Sequence, residues 1–219
     1  MATGGHVKAL LSLGLHDPNI IGRPNVVTTL MEDTSGPWME YFAHKEARDQ
    51  QGQFMADAYL SLIKGRTIIA EAPTGLGKTA ASLASALAAM KQSENVKKIL
   101  FLTGRQSQHK IVIDTVRKLN DNRKDHPNVA IVDLIGRESM CGKLTIDRQC
   151  FCEEGVSEKA RGGRRSQLKR WILEWPRHVE ETVKNGRKEG TCPYMCCIEA
   201  AREAEILSLI HISEPTRHA

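Results

Sequence analysis

The stretch that decides the expected fold is residues 67–79, TIIAEAPTGLGKT. Its first part, Thr67–Glu71, is a β-branched run typical of a buried strand, and the alanine- and leucine-rich residues Lys78–Lys91 predict a tightly packed helix. Gly75 and Gly77 lie between them and let the backbone turn, so that consecutive N–H groups face one anion at the positive end of the helix dipole. The sequence therefore predicts a strand, a phosphate-binding loop and a helix in direct succession.

The chemistry of this loop indicates a nucleotide. Lys78 is placed to reach the β- and γ-phosphates of ATP, and the Thr79 hydroxyl is placed to bind Mg²⁺, so both are candidate catalytic residues. Ala72 stands where the pattern GxxxxGK[ST] has its first glycine, and this variant favours helicases over kinases or small GTPases. The expected ATP-binding loop comprises Ala72, Pro73, Thr74, Gly75, Leu76, Gly77, Lys78 and Thr79. The alternative is a chance glycine-rich turn before a lysine.

Strands and helices continue to alternate on both sides of the loop. Apolar residues at three- and four-residue intervals predict a helix over Lys45–Lys64, which Gly65 ends. Beyond the loop, Lys98–Thr103 and Val129–Leu134 predict strands, and Gln106–Leu119 predicts a helix between them. We therefore expect an α/β fold: a RecA-like parallel sheet with helices on both faces, incomplete, carrying a cysteine-rich and mostly helical insertion.

Composition excludes several classes of protein. The chain has 219 residues, of which 41% are hydrophobic, and 31 basic against 26 acidic residues give a net charge of +5. This balance argues against wholesale disorder, and no apolar run reaches the roughly 18 residues that a membrane span needs. The nearest approach to an export signal, Ala9–Leu15, is interrupted by Ser12 and Gly14. A soluble globular protein is expected, cytoplasmic and nucleoid-associated in a prokaryote or nuclear in a eukaryote.

The six cysteines all lie between residues 141 and 197. Such clustering predicts a local site rather than a disulfide framework that spans the chain. Four thiolates from one insertion are a donor set for either an iron–sulfur cluster or a tetrahedral zinc ion, and spacing alone does not separate the two.

A basic run occupies the same insertion. From Lys159 to Arg170 there are six basic residues and no acid, and Trp171 and Trp175 follow. Positive charge beside aromatic faces is typical of sequence-tolerant binding to single-stranded nucleic acid. The alternative is a solvated charge run whose tryptophans are buried. The candidate DNA contacts here are Arg164, Arg165, Lys169 and Arg170.

The end of the sequence has an unusual character. Leu207–Arg217 reads LSLIHISEPTR, which resembles the translation of a transposon-type sequencing adapter. We therefore expect native sequence to end near Ile206, and residues 207–219 to be a non-native tail.

From Tyr41 to Ile206 the chain resembles the XPD-like helicases, the superfamily-two DNA helicases with an iron–sulfur cluster, which include the DinG branch. Phe42, followed by Arg48 and Gln51, is similar to the family's adenine-side element. TGRQSQ, residues 103–108, is similar to the segment that approaches the bound single strand, although Gln106 departs from the expected threonine. The resemblance implies DNA contacts for Arg105, Ser107 and Gln108.

The cysteine insertion resembles the cluster domain of these helicases. GRESMC, residues 136–141, is similar to its start, which implies a DNA contact for Arg137, and TCPYMCC, residues 191–197, is similar to its end. The resemblance implies a [4Fe–4S] cluster on Cys141, Cys150, Cys152 and Cys192, with zinc as the competing ligand and a disulfide cluster least expected. Cys150 and Cys152 are spaced more tightly than the preferred Cys-x-x-Cys. Cys196 and Cys197 are expected in the core, with a reserve role as ligands.

The resemblance implies the N-terminal fragment of an ATP-dependent 5′–3′ DNA helicase, with ATP, Mg²⁺ and the cluster as cofactors and single strands and duplex forks as partners, away from membranes. The alternative is a nucleotide-dependent nucleic-acid-binding module with a structural zinc site. The acidic Mg²⁺ motif and the second motor domain are expected beyond Ile206, so the fragment itself is expected to be inactive. The expected organisation is an N-terminal segment 1–40, motor domain 41–135, cluster insertion 136–192, return helix 193–206 and tail 207–219.

Overall fold

The computed structural model describes residues 35–94, 96–103, 106–143 and 150–210. The chain divides into two compact units, Met1–Val96 and Lys97–Ala219. Arg105, one of the predicted DNA contacts, lies outside the described residues. In the part of the chain that is described, no helix combines the length and apolarity needed to cross a bilayer.

Two helices form the body of the first unit. Helix α1 spans Asp49–Ile63 and helix α2 spans Lys78–Gln92, preceded by a short 3-10 helix over Pro37–Tyr41. Both helices predicted here are thus confirmed. Small residues along α2 let α1 approach closely, and the buried Ser85 hydroxyl donates to the Met55 carbonyl oxygen at 3.0 Å, joining the two helices.

The strand predicted over Thr67–Glu71 is not formed. Only Ile69 has bridge-type hydrogen bonding, and its side chain is 62% exposed. A strand is stable only with hydrogen-bonded neighbours beside it, and the three strands of the described sheet all belong to the other unit. The β-branched composition therefore predicted a buried strand here wrongly.

The second unit is built on a parallel sheet. Its strands are β1, Ile99–Thr103; β2, Ile131–Leu134; and β3, Ile206–Ile210, in the order β1-β3-β2. Ile206 pairs with Ile99 on one side and with Ile131 on the other, and both pairings are parallel. The strands predicted around residues 98–103 and 129–134 are confirmed with slightly shorter bounds.

Helices cover both faces of this sheet. The remaining helices are α3, Gln106–Asn122; α4, Arg137–Met140; α5, Glu158–Glu174; α6, Val179–Lys188; and α7, Pro193–Ala201. On one face Val132 packs with Leu168 of α5 and Cys197 of α7. On the other, Asp133 and Ser208 meet His109 of α3, so the expected α/β architecture is confirmed.

The last predicted helix, Tyr194–Glu205, ends earlier than expected. Helix α7 stops at Ala201, because the backbone N–H groups of Glu205 and Ile206 donate to the carbonyl oxygen of Ala130 and draw the chain into the sheet. Residues 207–210, assigned by sequence to a non-native tail, complete β3, and residues 211–219 lie outside the described residues. The origin of this tail stays a prediction.

Candidate nucleotide site and metal centre

The phosphate loop lies at the start of α2. Gly75 and Gly77 have φ angles of +90° and +79°, a left-handed conformation that favours glycine. The Lys78 ammonium folds back over the loop and donates to the carbonyl oxygens of Ala72 at 2.9 Å and Pro73 at 3.0 Å. Thr79 stands in the first turn of α2, half-buried. The loop therefore has a cation and a helix N-terminus at one place, the arrangement that binds phosphate.

Two side chains hydrogen-bond to the carbonyl oxygens of the loop, one from the N-cap of α1 and one from within α1. The Arg48 guanidinium donates to the Gly75 carbonyl oxygen at 2.5 Å, and the buried Gln51 amide donates to the Gly77 carbonyl oxygen at 3.2 Å. The φ angle of +79° favours glycine at position 77, and a Cβ there would lie 2.5 Å from the Gln51 amide nitrogen and displace that side chain. Sequence analysis assigned Arg48 and Gln51 to adenine and missed this supporting role. Phe42 is buried, with its ring 5.4 Å from that of His44.

Four cysteines from three segments converge in the second unit. Cys141 follows α4, Cys150 and Cys152 lie in the turn before α5, and Cys192 is the N-cap of α7. Their sulfur atoms all lie within 4.8 Å of one another. The Cys141 sulfur is 3.1 Å from that of Cys150 and 3.3 Å from that of Cys152, and the Cys150 and Cys192 sulfurs are 3.5 Å apart.

These separations bear on which metal would fit. Zinc bound to sulfur at about 2.3 Å in a tetrahedron places its ligand sulfurs roughly 3.8 Å apart, which is close to the observed spacing. A [4Fe–4S] cluster uses the same four thiolates but carries each on a different iron, so the sulfurs would have to spread from this arrangement. The donor set therefore fits both groups, and the spacing is nearer to that of a single ion.

Three of the four thiols, those of Cys150, Cys152 and Cys192, have shifted pKa values. Burial raises the pKa of Cys192 to about 12. Burial and the neighbouring thiols also raise the pKa of Cys152. At Cys150 burial acts in the same direction, but hydrogen bonds from the Cys152 backbone and the adjacent thiols outweigh it and lower the pKa. Of these three cysteines, Cys150 is the one most readily ionised to the thiolate that a metal binds.

The other two cysteines are core residues, as predicted. Cys196 and Cys197 are fully buried on α7 and pack with Met140 and Leu168. Burial raises the pKa of Cys196 to about 11 and raises that of Cys197 further. Neither belongs to the group of four converging sulfurs, so the structure gives their predicted reserve role no support.

Glu153 is a residue beside the cysteines that sequence analysis missed. Its carboxylate accepts from the Arg165 guanidinium at 2.5 and 2.9 Å, from the Thr191 hydroxyl at 2.5 Å and from the Cys192 N–H at 3.2 Å. Burial raises the pKa of this carboxyl, but these hydrogen bonds outweigh burial and hold the pKa at about 2. An acid adjacent to Cys152 was the available signal, and it was too common a feature to single out.

The predicted DNA contacts are placed unequally. Arg165 forms a hydrogen-bonded ion pair with Glu153, and Lys169 forms an ion pair with Glu203 at 2.7 Å. Arg164 and Arg170 are exposed on α5, and the Arg164 guanidinium also donates to the Gly190 carbonyl oxygen at 3.3 Å. The structure therefore presents only part of the basic run to solvent.

The remaining predicted contacts lie elsewhere in the second unit. Gln108 is exposed on α3, whereas the side chain of Ser107 lies outside the described residues. The Arg137 guanidinium lies over the Tyr194 ring, 5.9 Å from its centre. Trp171 is half-buried, with the Arg177 guanidinium 4.0 Å above its ring, so this aromatic face is already occupied.

The loop, its supporting residues and the parallel sheet define an α/β protein of the P-loop class. Residues 49–144 match the family model described as DEAD/DEAH box helicase. This match confirms the predicted resemblance to helicases in general. A solved structure titled "Truncated XPD" is 20% identical, with a TM-score of 0.42, over 71% of this chain. The chain spans 43% of that structure's length, and no curated protein matches it.

Proposed function

We propose that this chain is the N-terminal part of an ATP-dependent 5′–3′ DNA helicase. The observation that carries the proposal is the phosphate loop, in which Lys78 and two left-handed glycines meet the N-terminus of α2 inside the region that matches DEAD/DEAH box helicases. ATP and Mg²⁺ are the proposed ligands of Lys78 and Thr79. We propose ATP hydrolysis and strand separation for the whole protein. The chain itself is proposed to bind nucleotide weakly and to hydrolyse no ATP.

The cysteine centre belongs to the same proposal. Cys141, Cys150, Cys152 and Cys192 would hold an iron–sulfur cluster, which keeps the segments of the insertion together as a rigid unit. This proposal draws on the four-thiolate donor set and on the sequence resemblance of residues 136–141 and 191–197 to the cluster domain of iron–sulfur helicases.

Single-stranded DNA is the proposed partner of the insertion. Arg164 and Arg170 are the strongest candidates because both are exposed on α5, on the helix that is tied to the cysteine centre through Arg165. Contacts of this kind neutralise backbone phosphates and do not read base sequence.

The nucleotide site is tested by titrating a fluorescent ATP analogue with Mg²⁺ into the chain and its Lys78→Ala variant. Loss of a charged hydrogen bond of about 1.5–3 kcal/mol raises Kd by roughly 10- to 150-fold. Lys64→Ala, which removes an exposed lysine after α1, is the control and should leave Kd unchanged. Equal nucleotide binding by wild type and Lys78→Ala would refute the proposed nucleotide site. Robust ATP turnover by the chain that Lys78→Ala abolishes would refute the prediction that the fragment is inactive.

A second candidate function is a nucleotide-dependent nucleic-acid-binding module with a structural zinc site. The convergence of the four sulfur atoms favours it, because they all lie within 4.8 Å of one another and one tetrahedral ion could bind them all. This candidate predicts one zinc per chain and no iron, and it shares the proposed nucleotide site.

A further inference from the structure

Glu153 joins two of the three segments that build the cysteine centre, the Cys150–Cys152 turn and the segment of Cys192. It follows Cys152 directly, and its carboxylate meets the Thr191 hydroxyl and the Cys192 N–H at the start of α7. The same carboxylate forms a bidentate ion pair with Arg165 of α5. One side chain therefore fixes the Cys150–Cys152 turn against the segment that carries Cys192.

The Glu153 carboxylate is buried and hydrogen-bonded through both of its oxygens. Glu153 is only 8% exposed, and Thr191 and Cys192 are 2% and 1% exposed. A buried carboxylate is costly unless it is fully hydrogen-bonded, and here each oxygen is matched by a donor. Because these donors occupy both oxygens, Glu153 is not available as a fifth ligand.

We propose that Glu153 is a positioning residue for the metal centre: it holds the Cys150–Cys152 turn against Cys192, so that these three thiols lie together before a metal arrives. This inference rests on the proposed metal centre and applies equally to iron–sulfur and to zinc. Groups that orient metal ligands through hydrogen bonds commonly change metal affinity by about 10- to 100-fold when they are removed.

The test compares Glu153→Gln with a matched control. Glutamine has nearly the same shape but loses the bidentate pair with Arg165, whereas Glu199→Gln removes the other carboxylate near Arg165, at 3.4 Å, and leaves the cysteine segments untouched. Cobalt(II) is titrated into the reduced, metal-free full chain, and the absorption bands of tetrahedral cobalt–thiolate are recorded. Urea unfolding of each metal-free variant is measured beside it.

We expect Glu153→Gln to bind cobalt about 10- to 100-fold more weakly and to show altered bands, while Glu199→Gln matches wild type. Thr191→Val, which deletes one uncharged contact to Glu153, should give an intermediate loss and serves if Glu153→Gln fails to fold. Wild-type affinity and bands in both Glu153→Gln and Thr191→Val would overturn the positioning role alone. Absence of tetrahedral cobalt bands in wild type would overturn the proposed metal centre as well.

Discussion

Gly186 in α6 offers a quantitative test of the packing around the cysteine centre. A Cβ at this position would lie 2.9 Å from the Pro193 Cβ atom and 3.2 Å from both the Pro193 Cδ and the Leu168 Cδ2 atoms. Ordinary carbon contacts are about 3.5–4.0 Å, and the proline ring has little freedom to move aside. Gly186→Ala therefore overpacks the contact between α6 and α7, at a cost of about 1–3 kcal/mol.

Alanine also has a better helix propensity than glycine, and this gain of up to about 1 kcal/mol works against the loss. Gly163 in α5 isolates that term, because it is exposed and a Cβ there would meet no atom within 4 Å. Gly163→Ala should raise the free energy of unfolding by about 0.5–1 kcal/mol. The difference between the two variants is then the overpacking cost, about 1–3 kcal/mol.

The assay is urea unfolding of the full chain, followed by far-UV circular dichroism and by tryptophan fluorescence. Trp171 and Trp175 report on the unit that contains both glycines. Gly186→Ala should unfold at lower urea than Gly163→Ala, with an unchanged dependence on urea concentration. If Gly186→Ala proves as stable as Gly163→Ala, the close contact of α6 with Pro193 is refuted.

Two further predictions concern the proposed ligands and the proposed DNA contacts. Cys150→Ala should lose the bound metal, because it removes one of the four converging thiols, while Cys197→Ala should keep it, because that thiol lies in the core. The metal content of both purified variants is measured by elemental analysis, and equal contents would contradict the proposed ligand set. Arg170→Ala should weaken binding to a labelled oligo-dT and reduce the slope of the log binding constant against log salt concentration by about 1. Binding is measured by fluorescence anisotropy, with Lys124→Ala, at another exposed lysine, as the control. An unchanged slope would count against a phosphate contact at Arg170.

Local patterns predicted the elements that depend on neighbouring residues in the sequence. The glycines of the phosphate loop, the apolar spacing of α1 and the apolar runs of β1 and β2 each act through short-range geometry, and the structure contains all of them. Thr67–Glu71 has the same local composition as a strand, yet only Ile69 in this stretch has bridge-type hydrogen bonding and no strand forms. Sheet pairing is a long-range property, and composition does not report it.

The candidate sites show the same division. Cysteine clustering predicted a local site, and the four sulfurs do converge, because a short insertion brings its own ends together. The partners of individual side chains were beyond the sequence: Arg165 was grouped with the DNA contacts, but its charge is taken by Glu153, 12 residues earlier along the chain. Which face of α5 points inward depends on α7, which follows much later in the sequence.

The proposal that remains to be tested is that the four converging cysteines hold a metal centre. It is tested most directly by measuring iron, acid-labile sulfide and zinc in the full chain purified without oxygen, together with its visible absorption spectrum. We expect iron and sulfide in equal amounts and a thiolate-to-iron absorption band that Cys150→Ala abolishes. One zinc per chain without iron would contradict the helicase proposal in favour of the binding module, and neither metal would contradict the centre itself.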